Sequence, residues 1–67
     1  MDDTVEEMVM TAFDETLAEA LAKGIDRAGA MAEGITAASM CLAAMTGIRD
    51  AAARAQVEKL GLGKTDN

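Results

Sequence analysis

The chain has no histidine, tryptophan, tyrosine or proline, and only one cysteine and one phenylalanine. Each absence removes a class of function. Stacking on single-stranded bases needs aromatic platforms, and Phe13 is the only aromatic side chain. Cys41 has no second cysteine to pair with, so no disulfide framework holds this small fold together. Positive charge is also scarce. Six Lys and Arg stand against twelve Asp and Glu, for a net charge of −6. That balance disfavours phosphate backbones and anionic membrane surfaces alike. The opening MDDTVEEM carries acids where a signal peptide carries bases. Together with a lone thiol in an apolar stretch, this gives the expectation of a cytoplasmic protein.

What remains is a helix-forming chain. Alanine is abundant and proline is missing. Sixty-seven residues allow a single small helical domain, 1–67, with a frayed tail over 61–67. Thr4 and Glu7 have the spacing of a capping box. From there Val5, Val9, Ala12, Phe13, Leu17, Ala20 and Leu21 recur at helical spacing. Gly24 then reads as a left-handed stop with Ile25 as its apolar contact. Helix 1 is expected over about 4–23. Asp26 reads as the N-cap of a second helix over about 26–60. The alternative is a three-helix arrangement with a break at Gly47.

The stretch Gly34 to Ile48 has no charged residue. Two patterns run through it and its flanks. Met31, Ile35, Ala38, Leu42 and Met45 form a stripe that helix 1 can cover. Small residues recur every seven positions at Ala30, Ala37, Ala44 and Ala51, and again at Gly34, Cys41, Ile48 and Ala55. Small heptads let helix backbones approach closely. One helix covers only one face of its neighbour, so this second face predicts self-association through Ala30, Gly34, Ala37, Cys41, Ala44, Ile48 and Ala51. The expected architecture is all-α: an antiparallel helical hairpin that pairs into a four-helix bundle homodimer. Fifteen uncharged helical residues span about 22 Å, short of a hydrocarbon core of about 30 Å, so no membrane span is expected.

The charges divide unevenly. Residues 1–23 hold seven acids against Lys23, and residues 24–67 balance five acids with five bases. Glu7, Asp14, Glu15 and Glu19 share an outward arc of helix 1, which suits a basic protein partner. Arg49, Arg54 and Lys59 fall on the end of helix 2 that overhangs the hairpin, a second candidate partner surface.

No motif points to chemistry. GLGKT at 61–65 resembles the end of a phosphate loop, yet position 58 is Glu58 where a glycine is required, and a helix precedes it where a strand should. The methionines and Cys41 lack a second thiol or any histidine, so no metal site is expected. No nucleophile–base pair or cofactor loop is present, and no cofactor is implied. The sequence therefore points to a small acidic interaction module, an adaptor, regulator or inhibitor that binds another protein and no nucleic acid. The alternative is a small structural subunit of a larger enzyme complex.

Overall fold

The computed structural model describes residues 3–61. They form three helices, α1 (Asp3–Ala22), α2 (Arg27–Thr46) and α3 (Asp50–Leu60), with no strand among the described residues. The all-helical expectation holds. Thr4 lies inside α1, so it is not the N-cap that the capping-box reading makes it. Asp3 and Glu6 supply the acids of the first turn instead, where the helix dipole favours negative charge.

The α1–α2 junction forms as its residues dictate. Gly24 has φ +89°, a conformation glycine adopts without a Cβ penalty. The Ile25 amide donates to the Ala20 carbonyl at 3.1 Å, and the Gly24 amide to the Leu21 carbonyl at 3.0 Å. These are the paired bonds of a Schellman stop, which satisfy carbonyls that the helix end leaves open. Asp26 then caps α2. Its backbone is extended, and its carboxylate accepts a bond from the Gly29 amide at 3.0 Å.

The expected continuous helix over 26–60 does not form; the three-helix alternative does. Gly47 has φ +77° and ends α2, its amide donating to the Ala43 carbonyl at 2.8 Å. The break has an energetic reason. Ala53 and Val57 of α3 are fully or almost fully buried, in one cluster with Val9, Phe13, Ala38 and Leu42. Ile48 and Leu60 pack partly against the same cluster. A helix running straight through Gly47 would carry Val57 and Leu60 away from it. Burying one such side chain contributes about 1.5–3 kcal/mol, and the capped end at Gly47 replaces part of the helical hydrogen bonding that the break removes.

α2 is the central element, packed by α1 and by α3. Phe13 inserts between the helices. It shares a core cluster with Ala38. It also sits directly over Gly34, where a Cβ would lie 2.8 Å from Phe13 Cδ1 and 3.2 Å from the Phe13 carbonyl oxygen. Gly34 is therefore a point of close approach between α1 and α2. The hydroxyls on α2 are satisfied locally: Ser39 donates to the Ile35 carbonyl and Thr46 to the Leu42 carbonyl, each at 2.7 Å. The expected frayed tail and the GLGKT motif lie, apart from Gly61, outside the described residues. Gly61, with φ +68°, closes α3.

Candidate interaction surface

α1 and α3 leave one side of α2 uncovered. Glu33, Ala37, Met40 and Ala44 recur at i, i+4, i+7 and i+11, which places them on one stripe of the helix. Two open grooves run beside that stripe. One, of about 340 Å³, is lined by Thr16 of α1 and by Ala32, Glu33, Thr36, Ala37 and Met40 of α2. The other, of about 410 Å³, lies between α2 and α3 and is lined by Thr36, Ser39, Met40, Asp50, Ala51 and Arg54. Met40 belongs to both and is 63% exposed. Both linings are mostly apolar. An exposed thioether at the crest of an alanine ridge is adaptable contact area.

The seven residues expected to mediate self-association do not share one surface. Ala30 and Gly34 are buried, Gly34 against Phe13 of the same chain. Gly34 faces α1, where the close crossing leaves no room for a Cβ. Ile48 is half-buried beside the core, since the turn at Gly47 tucks it inward. Cys41 is half-buried and packs partly against the core. Ala37, Ala44 and Ala51 remain outward, Ala37 half-covered and the other two exposed. Ala51 reaches this side from α3, not from a continued α2. Met40 was not singled out for this face. The signal was available: it completes the stripe from Glu33 to Ala44.

The acidic arc is where it was expected. Glu7, Asp14, Glu15 and Glu19 are all exposed on α1. Glu19 holds Lys23 at 3.6 Å, an exposed i,i+4 pair of the kind that adds little stability. The overhang is absent, because α3 folds back along α2. Arg49 is the N-cap residue of α3, Arg54 reaches Glu58 at 3.4 Å and the Thr36 hydroxyl at 3.5 Å, and Lys59 is exposed in the last turn. The three bases thus decorate a packed helix and do not project as a free end.

Among the described residues, no group of three or more His, Cys, Asp or Glu side chains is placed to hold a metal ion. The Cys41 thiol lies 3.7 Å from the Met45 sulfur, one turn on. No membrane span was expected, yet by length and composition α2 is apolar enough to cross a membrane; a mostly buried core helix and a signal sequence pass the same test. Only 28% of its most apolar stretch is buried, which measures how much of this helix its own chain leaves uncovered.

No protein-family model, curated protein or solved structure matches the chain. The outward side of α2 and the acidic side of α1 therefore carry the functional reading by themselves.

Proposed function

We propose that this protein is a non-enzymatic helical interaction module that works by holding another polypeptide against the outward side of α2. The observation that supports it is Met40, largely exposed where two apolar grooves meet on the most apolar helix. A small monomer gains nothing from such a patch, and patches of this kind mark interfaces. Self-association is part of the reading. Two copies meet through this side, the α1–α2 hairpins of both make a four-helix bundle, and α3 of each lies alongside. The acids Glu7, Asp14, Glu15 and Glu19 then stay outside, available to a basic protein, as an adaptor, regulator or inhibitor requires. The lone thiol suits a reducing, cytoplasmic location.

A second reading uses the same observation. A small structural subunit of an enzyme complex would dock this side of α2 on a large subunit. The two differ in isolation: a self-associating module is well folded alone, whereas an orphaned subunit has loose tertiary packing.

The test is affinity capture from cells that make the protein, with wild type, Met40→Asp, and a variant carrying Gln at the four acids. Proteins retained by wild type and lost with either variant support the module. A retained set indifferent to both surfaces refutes it.

A further inference from the structure

We draw no further inference here: the strongest candidate, the outward side of α2 where Met40 stands between the two apolar grooves, belongs to the surface already described, and nothing in the structure shows what covers it.

Discussion

Replacing Gly34 with alanine sets two effects of known size against each other. Alanine is the better helix former by about 1 kcal/mol, so at an open site the change would stabilise α2. At Gly34 the new methyl would stand 2.8 and 2.9 Å from two ring carbons of Phe13. Carbon atoms rest about 3.5–4.0 Å apart, so the ring must retreat by about 0.7 Å or more. It has nowhere to go. Phe13 is 1% exposed and backed by Val9, Leu42, Ala53 and Val57. The Phe13 carbonyl oxygen, 3.2 Å from the same point, is backbone and moves only with α1. Overpacking of this kind costs about 1–3 kcal/mol. The net is a loss of about 1 kcal/mol, or a melting temperature lower by about 4–8 °C in a domain of this size. Thermal unfolding followed by circular dichroism at one fixed protein concentration reads it, the fixed concentration keeping self-association constant. The decisive control is the same change in a Phe13→Leu background. With the ring gone, Gly34→Ala should turn neutral or stabilising. A melting temperature that rises in the wild-type background, or shifts equally in both, would refute the close crossing.

Other outcomes follow from single features. Gly47→Ala should cost about 1–2 kcal/mol, because φ there is +77° and only glycine holds it without strain; a gain in both helicity and stability would mean that α2 runs on into α3. Asp26→Ala removes the bond to the Gly29 amide and should cost about 0.5–2 kcal/mol in a urea titration, with Asp26→Asn largely preserving stability. Lys23→Gln should leave the melting temperature unchanged, since its pair with Glu19 is exposed on both sides; a clear loss would show that this pair anchors the α1–α2 turn.

The first junction was legible because single residues carry it. Gly24 supplies the left-handed stop and Asp26 the cap, and neither depends on distant packing. The inner face of α1 was legible too: Val9, Phe13 and Ala20, which recur at helical spacing, are its buried residues. The second junction was misread. The sevenfold series Ala30, Ala37, Ala44 and Ala51 keeps phase across Gly47, as one continuous helix would. Periodicity records side-chain size, and in a chain this rich in alanine it survives a change of backbone direction by coincidence. The better cue was local. Gly47, Ile48, Arg49 and Asp50 repeat the grammar of Gly24, Ile25 and Asp26: a stop glycine, a half-buried isoleucine, then an acid at or beside the next helix start. The misreading carried over to the surface. Ala30 and Gly34 were placed on the outer face, although a close α1–α2 crossing consumes small residues first. Arg49, Arg54 and Lys59 were placed on an overhang, although Val57 and Leu60 on the same segment needed a core to join.

The most direct test is the native mass across a dilution series of the wild-type protein, alongside Met40→Asp. The chain has a mass of 6.9 kDa. If the outward side of α2 is covered by a second copy, the wild type has twice that mass at high concentration and falls toward it on dilution, while Met40→Asp has the single-chain mass throughout. A wild type with the single-chain mass at every concentration, or a dimer that Met40→Asp leaves intact, contradicts it.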